Sequence, residues 1–157
     1  MKKTLMTLAL TGALSTTAMA SVYGGAVTVG LTNDNVIDEE GLRIEAEVRK
    51  KQQVFGQERD IRLGVTTLTD VSDSKLLTYG AYLGYSIPID QGLNLVPRVG
   101  IEHYDRDSEL LGFVDAGLEY NIDKTVTVDA RAKYSEAFDS DVDMDGVSYM
   151  FGVTKVW

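Results

Sequence analysis

The stretch Leu42-Arg43-Ile44-Glu45-Ala46-Glu47-Val48-Arg49 alternates without a break, apolar at every even position and charged at every odd one. Successive side chains of an extended chain point to opposite sides, so this octet is a strand with one apolar face and one charged face. Val126-Thr127-Val128-Asp129-Ala130-Arg131-Ala132-Lys133-Tyr134 repeats the period. Working outward, the same period predicts strands at about 22–31, 41–50, 59–68, 76–87, 93–104, 109–121, 126–135 and 146–157. Turn-rich pieces separate them, among them Thr32-Asn33-Asp34-Asn35, Asp70-Val71-Ser72-Asp73, Ile89-Asp90-Gln91-Gly92 and Asn121-Ile122-Asp123-Lys124. Eight antiparallel strands of about ten residues predict an all-β chain, an up-and-down meander closed into a barrel.

Ahead of the strands, Met1-Lys2-Lys3 is a short basic start, Leu5 to Ala13 is mostly apolar, and Ala18-Met19-Ala20 has the small-x-small pattern of a secretory cleavage site. The apolar run is broken by Thr7 and Thr11 and is shorter than the roughly 20 residues a spanning helix needs. Residues 1–20 therefore read as a cleaved signal peptide and 21–157 as one exported barrel domain. The chain is acidic, with a formal net charge of −9 over 157 residues, which disfavours nucleic acid as a partner. It has no cysteine, so thiol chemistry, Cys-ligated metals and disulfides are excluded.

Alternation alone permits two barrels, a soluble lipocalin-like ligand binder with its apolar face inside, and a membrane barrel with that face against lipid. The charged face carries Glu45, Glu47, Asp60, Glu102, Asp115, Glu119 and Asp129 against Arg43, Arg49, Arg62, Arg98, Arg131 and Lys133. Near balance of sign in so acidic a chain is what an enclosed lumen needs, because buried charges must pair. Glycines at 24, 30, 64, 80, 84, 100, 117 and 152 on the same face leave room for long charged neighbours. The opposite face holds Val27, Val29, Leu31, Ile44, Leu63, Val65, Leu83, Val99 and Ile101, with only His103 and Lys155 ionisable, both near strand ends. Tyr23, Tyr85, Tyr120 and Trp157 fall near one rim of that face and Tyr79, Tyr134 and Tyr149 near the other, as interfacial aromatic girdles do.

The chain ends Tyr149-Met150-Phe151-Gly152-Val153-Thr154-Lys155-Val156-Trp157. This resembles the last strand of bacterial outer-membrane barrels, with alternate apolar residues, a terminal aromatic and a glycine six from the end. Together with the leader and strands, it makes the mature chain similar to the small eight-stranded OmpA/OmpX-type barrels of the porin-like superfamily. The resemblance implies a Gram-negative outer-membrane location, both termini in the periplasm, and Gly152 and Trp157 as parts of a signal read by the barrel-assembly machinery. Lys155 departs from the pattern, since an apolar residue is usual there. Under that layout the connections near 32–40, 69–75, 105–108 and 136–145 face outward and hold most of the acids, Asp34 among them. The inner connection around 50–58 is long for a periplasmic turn.

Asp141, Asp143 and Asp145 alternate ahead of Gly146, as the oxygen ligands of a calcium loop begin, and could hold Ca²⁺ or Mg²⁺ bridging to lipopolysaccharide phosphates. A solvated acidic loop is the simpler reading, because Gly152 stands where an EF-hand needs glutamate. No other cofactor is expected. Glu102-His103-Tyr104-Asp105 lacks a nucleophile beside the histidine, which argues against an enzyme. The sequence thus predicts a monomeric barrel with a plugged lumen and short acidic outer loops, in contact with outer-membrane lipid and lipopolysaccharide. Its role would be structural or surface-interactive. A narrow ion-conducting porin and the soluble ligand binder are the alternatives.

Overall fold

The computed structural model describes residues 24–36, 39–54, 56–71, 75–106, 108–139 and 144–157. Residues 1–20, read from the sequence as a signal peptide, and Tyr23, Asp141 and Asp143 lie outside the described residues. The strands are β1 (Gly24–Asp34), β2 (Glu39–Val54), β3 (Gln57–Asp70), β4 (Leu76–Tyr85), β5 (Ile87–Asp90), β6 (Leu93–Tyr104), β7 (Glu109–Asn121), β8 (Val126–Ala137) and β9 (Asp145–Val156). β4 and β5 are two halves of one stave, both paired with β6 and interrupted at Ser86 just before Pro88, which has no N–H to give a ladder. Eight antiparallel staves result, each beside its neighbours in sequence, and β1 pairs with β9 from Ala26↔Val156 to Asp34↔Ser148 to close the barrel.

Inside and outside follow the alternation. Thr28, Gly30, Thr32 and Asp34 of β1 point inward and are buried, while Val29 and Leu31 point outward and are exposed. The outward set includes Leu63, Val65, Leu83, Val99, Ile101, Val114, Leu118, Phe151 and Val153, all exposed. The inward set includes Arg43, Glu45, Glu47, Arg62, Arg98, Glu102, Asp115, Glu119, Asp129, Arg131 and Lys133, all buried. The lipocalin-like alternative, apolar inside and charged outside, is the reverse of this arrangement. Trp157, Tyr85 and Tyr120 are exposed at the end carrying both termini, and Tyr79, Tyr134 and Tyr149 toward the opposite mouth.

Two expectations from the sequence change. The long connection around 50–58 is no loop: β2 and β3 stay paired as far as Val54↔Gln57, with Gly56 turning the chain at φ 77°. Asp34, assigned to an outer connection, is the last inward residue of β1. The lumen is also less uniformly polar than the charged octet implies, since Leu68, Tyr104, Leu111 and Phe113 are buried toward its mouth.

Candidate functional site

The inward positions of β2, namely Arg43, Glu45, Glu47 and Arg49, step from the mouth toward the termini, and each anchors a part of one connected network. Nearest the mouth, Arg43 pairs with Glu102 and, at 3.4 Å, with Asp34, and donates to Thr66 Oγ1 at 3.0 Å. Lys133 Nζ holds the same two carboxylates, Glu102 at 2.7 Å and Asp34 at 3.3 Å, and stands 5.6 Å from the centre of the Phe113 ring.

Next along β2, Glu45 receives both terminal nitrogens of Arg98, at 2.7 and 3.0 Å. Arg98 also grips Asp115, with Nε 2.9 Å from Oδ2 and Nη2 2.7 Å from the same oxygen. Its guanidinium lies 4.1 Å over the Tyr82 ring. Arg131 adds Glu45 at 3.3 Å and Asp129 at 3.2 Å, and reaches Glu119 at 3.7 Å, joining this group to the next.

Closest to the termini, Arg62 Nη2 donates to Glu119 Oε2 at 2.8 Å, and its Nη1 lies 3.5 Å from Glu47. Glu47 also accepts from Arg49 Nε at 2.6 Å and from the Tyr82 hydroxyl at 2.9 Å. Planar forks suit these contacts, since a guanidinium can satisfy two carboxylates at once in a confined space. The carboxylates could not remain ionised there without such partners.

Twelve of the thirteen charged residues assigned to the lumen from the sequence are thus brought into ion pairs. Asp60 is not: it is half-buried, has no ion pair among the described residues, and its backbone N–H donates to Ser86 Oγ at 3.3 Å. Two members were not read from the sequence. Asp34 was hidden by its turn-rich surroundings, although Thr28, Thr32 and Asp34 keep an inward period of two. Tyr82 was hidden because a tyrosine suits either face; Gly80 and Gly84 flanking it at a spacing of two mark the lumen side.

A cavity lined by Thr32, Arg131, Lys133, Ser148 and Met150, among others, offers about 10 Å³ to the centre of a water-sized sphere, room for about one water. His103 faces away from the lumen and stacks on Tyr79, with ring centroids 5.0 Å apart. Asp145 accepts from the Tyr134 hydroxyl at 3.4 Å and sits opposite Glu136 in the ladder. Among the described residues, no three His, Asp or Glu side chains gather as a metal site. Lys155 lies on the outer side, where its ammonium turns toward the terminal end and donates to Thr125 Oγ1 at 2.9 Å. Gly152 sits opposite Gly30 at the closing seam, and Trp157 exchanges backbone hydrogen bonds with Gly25.

A closed barrel with paired charges inside and an uncharged apolar belt outside is a transmembrane β-barrel. The chain belongs to the family described as outer membrane protein beta-barrel domain, which residues 6–154 match, and its place is the bacterial outer membrane. No curated protein matches the sequence. Among solved structures, Ail of Yersinia pestis in a phospholipid bilayer nanodisc is similar in fold, with a TM-score of 0.53 and 15% identity over 86% of this chain and 99% of that one. A de novo designed transmembrane β-barrel gives a TM-score of 0.56 at 11% identity, covering 85% of this chain and 95% of the design. The designed barrel TMB2.3 gives 0.55 at 14% identity, covering 85% of this chain and 93% of its own.

Proposed function

We propose that this protein is a closed, non-conducting and non-catalytic barrel that serves envelope integrity or lipopolysaccharide packing as a monomer, with its termini in the periplasm and its acidic mouth facing outward. The observation that carries this reading is the lumen network, in which guanidinium forks cross from one wall to the other at three places, Arg43 to Glu102, Arg98 to Glu45 and Arg62 to Glu119. A cavity with room for about one water beside them supports a plug over a permeation path. The one histidine, on the outer side against Tyr79, supports a non-enzymatic role, because hydrolysis needs a base beside a nucleophile. The acids of the mouth, Asp145 with Asp141 and Asp143, would meet lipid phosphates through Ca²⁺ or Mg²⁺.

Conductance across a planar bilayer tests the plug. Purified barrel should insert without steady unitary currents. Reproducible open channels would overturn this reading and favour the narrow ion-conducting porin.

A further inference from the structure

Signs of charge are largely sorted along the outer side of the barrel. Among described strand residues on that side, the acids Glu40, Glu136 and Asp145 lie at the mouth, and the bases Lys50, Arg59 and Lys155 lie at the terminal end, where Asp90, on a different stave from these bases, is the one acid. Two of those bases stand on the β2–β3 ribbon. Among the described residues, β1 pairs with β2 as far as Gly24↔Arg49, and β4 with β3 as far as Ile61↔Tyr85. The ribbon nevertheless runs on through Lys51↔Asp60, Gln52↔Arg59, Gln53↔Glu58 and Val54↔Gln57.

Directly opposed residues of an antiparallel pair share a face. Lys50↔Ile61 and Gln52↔Arg59 therefore continue the side on which Val48 and Leu63 meet lipid, while Lys51↔Asp60 continues the lumen side. The outward face of the ribbon then carries Lys50, Gln52, Gln57 and Arg59, with no acid among them, and Arg59 is held by a hydrogen bond to Gln57. In a chain of net charge −9, a face that prolongs the lipid-contacting belt and bears only positive charge is matched to a negative surface at the edge of the hydrocarbon.

We infer that this ribbon face is a docking surface for anionic phospholipid headgroups of the leaflet at the terminal end, with Lys50 and Arg59 as phosphate contacts. Lys155 belongs to the same arrangement, its ammonium already turned down to Thr125. The surface places the barrel at a defined depth and gathers negatively charged lipid around the ribbon. Assigning that leaflet to the periplasmic side rests on the orientation proposed above, whereas the lipid preference itself does not.

Native mass spectrometry of the full barrel, released from vesicles of phosphatidylethanolamine and phosphatidylglycerol in equal amounts, reads this directly. The wild-type protein should retain phosphatidylglycerol in preference by roughly fivefold, the factor expected for one cation at an anionic surface. Lys50→Glu with Arg59→Glu should abolish the preference, the neutral pair Lys50→Gln with Arg59→Gln should reduce it, and Lys51→Glu on the other face should leave it intact. Heat-dependent mobility on a gel verifies that each variant is folded, and the neutral pair carries the test if the reversed pair does not assemble. Absence of preference in the wild type, its survival in the neutral and reversed pairs, or its equal loss in Lys51→Glu would overturn the inference. So would ribbon-dependent binding to isolated peptidoglycan without lipid preference, which would make the cell-wall polymer the occupant. Labelling of a cysteine placed at Gln53 in intact cells tests orientation separately: labelling from outside would overturn the periplasmic assignment and leave the lipid preference standing.

Discussion

Arg98 on β6 and Glu45 on β2 join opposite walls of the barrel through two parallel hydrogen bonds of 2.7 and 3.0 Å, although β6 and β2 are not neighbours in the sheet. Arg43 to Glu102 repeats the β2–β6 crossing, and Arg62 to Glu119 ties β3 to β7. Backbone ladders fix each stave to its neighbours but leave the cross-section free to flatten. These forks fix it.

Removing one fork should be costly. In Arg98→Ala, Glu45 keeps only Arg131 among the described residues and Asp115 loses the guanidinium that grips it, at a buried site. Breaking a buried pair from one side typically costs about 3–5 kcal/mol, which denaturant unfolding in lipid vesicles would read. Arg98→Lys should recover only part, since an ammonium cannot hold Glu45 and Asp115 in two planar forks. A loss in Arg98→Ala no greater than about 0.5 kcal/mol, the ordinary size of a surface substitution, would show that the network does not stabilise the barrel.

Gly64 gives a second test. A Cβ there would lie 2.3 Å from Cζ of Tyr82 and 2.5 Å from its hydroxyl oxygen, so the ring occupies the space that the missing side chain leaves. Gly64→Ala should push the ring off Arg98 and its hydroxyl away from Glu47, costing about 1–3 kcal/mol. With Tyr82→Leu in the background, the added cost should shrink, because the two positions share one space. Strict additivity in that double-mutant cycle would sink the explanation.

How much of this was written in the sequence depends on which force places each residue. The lumen charges of β2 and β8 were legible because polar and apolar residues alternate without a break there, and a one-residue slip would put four charges of β2, or three of β8, into lipid. Leu68, Leu111 and Phe113 were not, because an apolar residue at an inward position looks like its outward neighbours until the register is known. The ribbon was illegible for another reason: Lys51-Gln52-Gln53 is polar on both faces, so no buried side marks it as a strand. Its pairing rests on the backbone ladder, which leaves no hydropathy signal.

The outer face predicts its own substitution pattern. Leu63 is 61% exposed and flanked by Ile61 and Val65 on the same face, well inside the belt. Leu63→Arg should cost about 2–4 kcal/mol, whereas Lys155→Leu should change stability by no more than about 1 kcal/mol, because charge becomes cheap as a side chain nears the interface. Folding titrations in vesicles compare the two. Equal tolerance of arginine at residue 63 and of lysine at residue 155 would contradict a lipid-facing belt.

The turn joining β7 to β8 carries a pH signature outside the membrane. Asp123 accepts hydrogen bonds from the Thr125 N–H at 2.6 Å, the Thr125 hydroxyl at 2.9 Å and the Val126 N–H at 2.9 Å. Donors aimed at the charged form, the Thr125 N–H first, hold its carboxyl below the usual aspartate range. The folded value lies below the unfolded one of about 3.9, so the turn's contribution is complete above that pH and is lost as pH falls through the folded value. Carboxyl chemical shifts of Asp123 in a nanodisc should therefore titrate at lower pH than those of a free aspartate. Thr125→Ala removes the hydroxyl donor, spares the backbone ones, and should move the midpoint part of the way back. A midpoint at or above the free value in the wild type would mean that these hydrogen bonds do not hold the carboxylate, and the turn would then add nothing to the acid dependence of folding.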